Sequence, residues 1–405
     1  MKVAVFHNLP TGGAKRVLHG FVSYLVRSDN QVSAFVPSTA REDYLPLKDA
    51  GAEVKVFPVD KTVLGSAYSF LRYLPPTELS WRDLEITQRR IAEAVDASDC
   101  DVVLCEQDQF TMSPFFLKYV KKPTAYFCQQ PSRFNEPVLK EISKRAGRPD
   151  GLSSSRRWAR RQFAKRTPGI DRRNAAHAKY TLVNSNFSKE SVRRSYGVEA
   201  HVCYLGVDTG LFRSLNTPRE RFVLSLGECA PKKGYDFLIR SLALIEPGAR
   251  PRLVLICNSF ATGWREYLER LAREKGVELE FKSLVGDDEV LSMYNRSQLV
   301  LCAAYNEPFG LTPVEAMACG TPVVAVREGG FAESVLDKET GFLTERSEES
   351  FARAVSNLLG DEGLRESMGK RGIDAVKGFW TLDHAGKRLV EHLDKVAASS
   401  GGRSP

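Results

Sequence analysis

Asn306-Glu307-Pro308-Phe309-Gly310-Leu311-Thr312-Pro313-Val314-Glu315-Ala316-Met317-Ala318-Cys319-Gly320-Thr321-Pro322 places two carboxylates eight positions apart, across a loop that runs into a helix. Gly310 permits a ligand to approach the backbone closely. Thr312 reads as the N-cap and Pro313 as the first helical residue, with Gly320 as the C-terminal stop. The free amides of a helix start attract anions, and flanking carboxylates accept hydrogen bonds from sugar hydroxyls. Thr312-x-x-Glu315 also reads as a capping box, in which Glu315 only closes the helix start.

Outward from this stretch, apolar strand-like runs alternate with helical patterns, which implies α/β architecture with parallel sheets. The first half offers strands at Lys2–Phe6, Val32–Val36, Glu53–Phe57, Val102–Cys105, Thr124–Cys128 and Tyr180–Val183. The pattern restarts at Phe222–Leu226 and continues through Arg252–Cys257, Glu278–Phe281, Leu299–Cys302 and Pro322–Val326. Residues 1–205 and 206–379 therefore read as two Rossmann-like domains. A last helix spans 380–396, and the small, polar residues 397–405 are expected to be disordered.

The 405-residue chain has no apolar run near the roughly 20 residues that span a bilayer. Its first residues, Met1 to His7, are too soon broken by Asn8 and Pro10 to read as a secretion signal, so the expected location is cytoplasmic. Eight cysteines without a C-x-x-C pair read as reduced core residues, and six scattered histidines offer no metal spacing. Net charge is +8. Twelve Lys and Arg against three acids fall within 140–173. That segment is either a solvated charged face or a patch for an anionic membrane at its inner surface, with Trp158 and Phe163 as anchors, or for a phosphorylated acceptor. No helix-turn-helix, zinc-finger or aromatic RNA-binding signature accompanies it, so no nucleic-acid partner is expected.

Ligands of doubly wound sheets bind at the C-terminal strand ends. Gly12-Gly13 follows the first strand and either presents amides to phosphate or makes a plain tight turn; it is not a dinucleotide fingerprint. Lys233 precedes Gly234 after the first strand of the second domain, where a cation opposes the dipole of the coming helix unless an anion joins it. Arg133 suits an anionic acceptor or a surface ion pair. Asp99-Cys100-Asp101 imitates a D-x-D metal motif but precedes its strand, at the wrong end for a site.

Glu307 to Glu315, the Phe309-Gly310-Leu311 between them and the following Glu-Ala-Met-Ala-Cys-Gly-Thr-Pro-Val-Val resemble the signature of glycosyltransferase family 4, retaining nucleotide-sugar transferases of GT-B fold. Gly206-Val207-Asp208 resembles the family's linker, and the last helix resembles the segment that crosses back to the first domain. The resemblance implies two Rossmann-like domains facing across a cleft. It implies hexosyl transfer from a nucleoside-diphosphate sugar to a glycan, lipid-linked or small-molecule acceptor hydroxyl, without metal or other cofactor.

By the same resemblance Glu307 and Lys233 act in catalysis. Gly13, Gln129, Lys233, Glu307, the Phe309, Gly310, Leu311 and Thr312 amides and Glu315 bind the donor, with Glu315 on the ribose; Gly12, Arg16 and Arg133 attend the acceptor. Glu333 follows the family's next loop.

Two positions depart from the family. Glu228 stands where relatives carry arginine, and Gln129 where many carry histidine. Either Glu228 points away, or it pairs with a basic residue, or Lys232 or Arg16 replaces the positive charge lost with the family's arginine. Epimerase, phosphorylase and non-catalytic sugar-nucleotide-binding readings share the architecture and stay open.

Overall fold

The computed structural model describes residues 1–60, 73–74, 79–132, 141 and 154–399; the side chains of 73–74, 79 and 154–164 lie outside that description. The described residues form two compact units, one of 1–132, 154–204 and 382–399, the other of 141 and 205–381. Arg133, most of the basic segment, and 400–405 thus fall outside the described residues or their described side chains.

The first unit is built on β1 (Lys2–Asn8), β2 (Gln31–Pro37), β3 (Glu53–Phe57), β6 (Val102–Asp108), β7 (Thr124–Phe127), β8 (Tyr180–Val183) and β9 (His201–Val202), with a small hairpin of β4 (Tyr73–Leu74) and β5 (Leu79–Ser80) beside it. The sheet order is β3-β2-β1-β6-β7-β8-β9, and neighbouring strands are parallel. All seven residues of β6 are buried, as expected of a central strand covered on both faces. Helix α1 (Gly13–Arg27) returns across the sheet with Val17, Leu18, Phe21, Val22 and Leu25 buried on one stripe.

The C-terminal helix is Leu382–Ala398, starting two residues later and ending two later than its sequence pattern suggests. It buries Ala385, Leu389, Leu393 and Val396, one 3.6-residue stripe. It lies against α1 because Gly386 leaves room for the Tyr24 ring; a Cβ there would stand 2.2 Å from ring atoms. Trp380 belongs to the preceding turn, Val376–Trp380, and packs on Phe309 of the second unit, ring centroids 5.5 Å apart.

The second unit is a six-stranded parallel sheet in the order β12-β11-β10-β13-β14-β15. Its strands are β10 (Glu220–Leu226), β11 (Arg252–Ile256), β12 (Leu279–Lys282), β13 (Ser297–Cys302), β14 (Val323–Val326) and β15 (Gly341–Thr344). The helices that matter for the site are α2 (Tyr235–Ala243), α3 (Asp287–Arg296) and α4 (Leu311–Ala318). Edge strand β15 escapes sequence reading because Gly-Phe-Leu-Thr is too short and mixed to show a period. It fits because Gly341 lets it approach β14, where a Cβ would meet the Val323 carbonyl at 2.1 Å.

All eight cysteines are buried and unpaired. Asp99 and Asp101 are both taken by Lys2, through its ammonium and its backbone N–H respectively, so the D-x-D tripeptide serves the start of β1. Among the described residues no helix is long and apolar enough to cross a membrane.

Candidate active site

Three loops at the C-terminal strand ends of the second unit are fastened into one rim. The loop after β10 closes with a turn at Pro231–Lys233 and with Gly234, whose φ of 68° caps α2. The loop after β13 runs from Ala303 to Gly310, and the loop after β14 from Arg327 to Gly330. Tyr305 N–H donates to the Lys232 carbonyl at 2.8 Å, and Gly330 N–H to the Glu307 carbonyl at 2.7 Å. Glycine permits both approaches: a Cβ on Gly234 would stand 2.2 Å from the Ala303 carbonyl oxygen, and one on Gly330 2.4 Å from Phe309 Cα.

Arg346 locks the rim from below, a role with no motif to announce it in the sequence. Its guanidinium pairs bidentately with Glu328 at 2.7 and 2.6 Å and donates to the Ala303 and Ala304 carbonyls at 3.0 and 3.3 Å. It also stacks 3.6 Å from the Tyr305 ring centre.

Within the rim, Lys233 Nζ donates to Glu307 Oε2 at 2.8 Å, with both side chains about one-fifth exposed. The pair lines a pocket with Ser225, Gly310, Leu311 and Thr312. The pocket is about 40 Å³. Lys233 lies across Gly227, whose φ is 141° and whose added Cβ would stand 3.0 Å from the lysine chain. Glu228, the position of the unexpected carboxylate, pairs with Lys232 at 2.7 Å. Its charge is thereby met locally.

The start of α4 differs from its sequence reading. The N-cap is Gly310, with φ 82° and ψ 92°, and no side chain caps the helix. Thr312 therefore sits inside the first turn, and the capping-box reading fails. Glycine is required at 310 for its backbone and because the Phe331 ring lies against it, 2.4 Å from where a Cβ would be. Phe309 is buried and is not among the residues that line the pocket.

Glu315 follows Leu311 by four residues, on the same helix face and about 6 Å further along the axis. Its Oε2 accepts a 2.6 Å hydrogen bond from the Tyr294 hydroxyl, on α3. Burial, then the Glu315 charge, push the Tyr294 hydroxyl well above its ordinary pKa, so it remains a donor. Burial raises the Cys302 thiol at the end of β13, and the charges of Glu307, Lys233 and Glu315 all act on it. Lys233 and Glu307 line the pocket beside Cys302, whereas Glu315 is not among its lining residues and turns to Tyr294. Tyr294 was not legible in the sequence, because an i−21 partner on another helix follows no local spacing. Tyr294→Phe is expected to destabilise the chain by about 1.5–3 kcal/mol, the scale of a hydrogen bond lost from a charged group, because the bond already exists in the ligand-free protein. The urea midpoint checks this.

The remaining expected residues belong to the first unit. Gly12 caps α1 with φ 133°, Gly13 opens the helix, and Arg16 reaches Tyr44 Oη at 3.5 Å. A Cβ on Gly12 would meet nothing within 4 Å, so backbone conformation, not crowding, calls for glycine there. Gln129 is buried; its Nε2 donates to Glu106 Oε1 at 2.9 Å and its Oε1 accepts from Asn184 at 3.1 Å.

Burial raises the Glu106 carboxyl to about 8, despite hydrogen bonds from Gln129 and the Gln107 amide. The folded state thus keeps a proton that the unfolded chain releases near its ordinary pKa. Its stabilising effect is complete below about 4.5 and is lost as pH rises to about 8. The histidines His7, His201 and His392 are lowered by burial and act in the opposite sense, at and below their ordinary value of 6.5. Between pH 6.5 and 8, therefore, the urea midpoint is expected to fall, and to fall less in Glu106→Gln. Equal slopes would contradict the assignment.

Two family models tile the chain: "Glycosyltransferase Family 4" matches residues 11–211 and "Glycosyl transferases group 1" matches 209–375. The chain belongs to glycosyltransferase family 4. It is similar to D-inositol 3-phosphate glycosyltransferases, 33% identical over 219 residues to that of Kribbella flavida, covering 51% of each chain. To that of Corynebacterium aurimucosum it is 38% identical over 176 residues, covering 41% of this chain and 42% of the relative. The chain spans about half the length of the curated relatives it matches. Among solved structures, sucrose-phosphate synthase from Thermosynechococcus elongatus superposes with TM-score 0.72 at 17% identity, covering 98% of this chain and 99% of that one. Anabaena Alr3699/HepE, solved in complex with UDP and glucose, gives 0.71 at 18% identity over 97% and 99%. At such identities the likeness is one of fold: this family-4 chain has the two parallel-sheet units of a GT-B protein.

Proposed function

We propose that this family-4 chain is a retaining, metal-independent hexosyltransferase that uses a nucleoside-diphosphate sugar. The observation that carries the reading is the Lys233–Glu307 pair, held at 2.8 Å beside the uncapped N-terminus of α4. The UDP found in the HepE structure makes a uridine donor the first to try.

Donor binding exchanges partners in this pair. The diphosphate takes the Lys233 ammonium and the Leu311 and Thr312 amides. The Glu307 carboxylate, released from Lys233, accepts hydrogen bonds from sugar hydroxyls, and Glu315 those of the ribose. The bond from C1 to the diphosphate oxygen then breaks, and the acceptor oxygen bonds to C1 on the same face. The departing diphosphate takes the acceptor's proton. Lys233 stabilises the charge that develops on the leaving group, so catalysis is by position and electrostatics, with no covalent intermediate.

The test is transfer from UDP-hexoses to a panel of glycoside and polyol acceptors, with the product anomer read by NMR. Retention of configuration and an unchanged rate after EDTA dialysis are expected. Inversion, dependence on a divalent ion, turnover only with inorganic phosphate, or UDP binding with no transfer to any acceptor would each refute the reading.

A further inference from the structure

Tyr235 opens α2 directly after Gly234 and lines the same pocket as Lys233 and Glu307, yet its side chain is buried. Four tyrosines are buried among the described residues: Tyr126, Tyr196, Tyr235 and Tyr294. Three of them spend the hydroxyl proton inside the protein. Tyr126 donates to Ser113 Oγ at 3.0 Å, Tyr196 to Asp171 Oδ2 at 2.6 Å and Tyr294 to Glu315 Oε2 at 2.6 Å. The Tyr235 hydroxyl reaches no nitrogen or oxygen of the described residues. The groups that act on it are the buried thiols of Cys257, Cys229 and Cys302, and a thiol is a weak acceptor. A buried hydroxyl without a partner is costly, and phenylalanine would fill the same place without that cost.

The surroundings of this hydroxyl decide what class of partner suits it. Gly227 lies between Tyr235 and Lys233. A Cβ there would stand 3.0 Å from Lys233 Cε and 3.2 Å from Tyr235 Oη, so the lysine stem and the hydroxyl meet at one crevice that a side chain at 227 would fill. Burial pushes the Tyr235 hydroxyl well above its ordinary pKa, so it keeps its proton and acts as a donor. Ser225, on the same pocket wall, is already spent: its Oγ donates to the Leu301 carbonyl at 2.7 Å. A cation and an unspent O–H at one crevice suit the oxygens of an anion.

We propose that the Tyr235 hydroxyl is a ligand contact of this pocket, donating a hydrogen bond to the diphosphate that takes Lys233 from Glu307. In the ligand-free chain the lysine stem occupies the crevice, with its ammonium drawn to Glu307 at 2.8 Å. As the ammonium turns to the diphosphate the stem shifts, and a phosphate oxygen becomes the acceptor that the hydroxyl lacks. The contact rests on the diphosphate reading of the pocket and adds to it a neutral donor beside the cation.

Isothermal titration of UDP and of inorganic pyrophosphate into the full chain, wild type and Tyr235→Phe, tests this, with the urea midpoint of each ligand-free protein measured alongside. Tyr235→Phe is expected to weaken both ligands about tenfold, the scale of a hydrogen bond to a charged group, and to keep or raise the midpoint. A hydroxyl with a purely structural role would give the reverse, a lower midpoint with both affinities intact. A lower midpoint, equal affinity of the two proteins for both ligands, or a loss confined to UDP overturns the inference. Transfer assays on the same proteins separate it from the reading it rests on. Weaker binding by the variant upholds the contact even where the wild type transfers no sugar, a result that defeats the transferase reading alone. Equal binding defeats the contact alone, whatever the transfer rate, and a wild type that binds neither ligand overturns both.

Discussion

Lys233→Ala is expected to lower kcat/KM for transfer about a thousandfold, near the upper range for removing one preorganised charge-stabilising group. The lysine side chain is about one-fifth exposed and its methylenes lie over Gly227, so its removal opens no core cavity. The loss therefore falls on function. It has two parts: the diphosphate loses its cation, and the Glu307 carboxylate, no longer paired with that cation, repels the diphosphate. Lys232 offers no substitute, because it is engaged with Glu228 at 2.7 Å. The double variant Lys233→Ala/Glu307→Gln separates the parts, and a partial recovery of donor binding is expected from removing the repulsion. Single-turnover rates and the urea midpoint, measured together, check both statements.

Gly234→Ala is expected to destabilise the chain by about 3 kcal/mol and to abolish donor binding. The residue has a φ of 68°, which alone costs an L-residue about 1–2 kcal/mol. The larger cause is contact. The new Cβ would stand 2.2 Å from the Ala303 carbonyl oxygen, a backbone atom that cannot rotate away. The loop carrying Lys233 and the loop carrying Glu307 must then part, which also breaks the Tyr305-to-Lys232 hydrogen bond. Gly248, where a Cβ would meet nothing, is the control: Gly248→Ala is expected to leave donor binding intact. Urea titration and calorimetry on both variants make the comparison.

These two sites differ in how far a linear reading reaches them. Lys233 and Glu307 are singled out by their resemblance to the family's motif, and apolar runs place both at strand ends, where such sheets bind ligands. Both parallel sheets are legible for the same reason, since buried strands such as Val323–Val326 are continuous apolar runs. What escapes is whatever depends on long-range contact. Tyr294 reaches Glu315 from another helix, and Arg346 reaches Ala303 from the loop after an edge strand. The Lys15–His7–Glu42 cluster joins a helix, a strand and a loop. Thr312 and Pro313 mislead because their local preference for a helix start is real but one turn of chain is overruled by Gly310, the residue able to hold φ 82°. Glu228 is a family departure that only its neighbour explains: an i+4 lysine takes up the charge.

The central claim is that Lys233 releases Glu307 to grip a nucleoside diphosphate. Isothermal titration of UDP, GDP, ADP and dTDP against the wild type and Lys233→Ala addresses it most directly. At least one nucleotide is expected to saturate the wild type, with affinity at least about tenfold weaker once the lysine is gone. Binding of equal strength in both proteins, or of none of the four to the wild type, would contradict it.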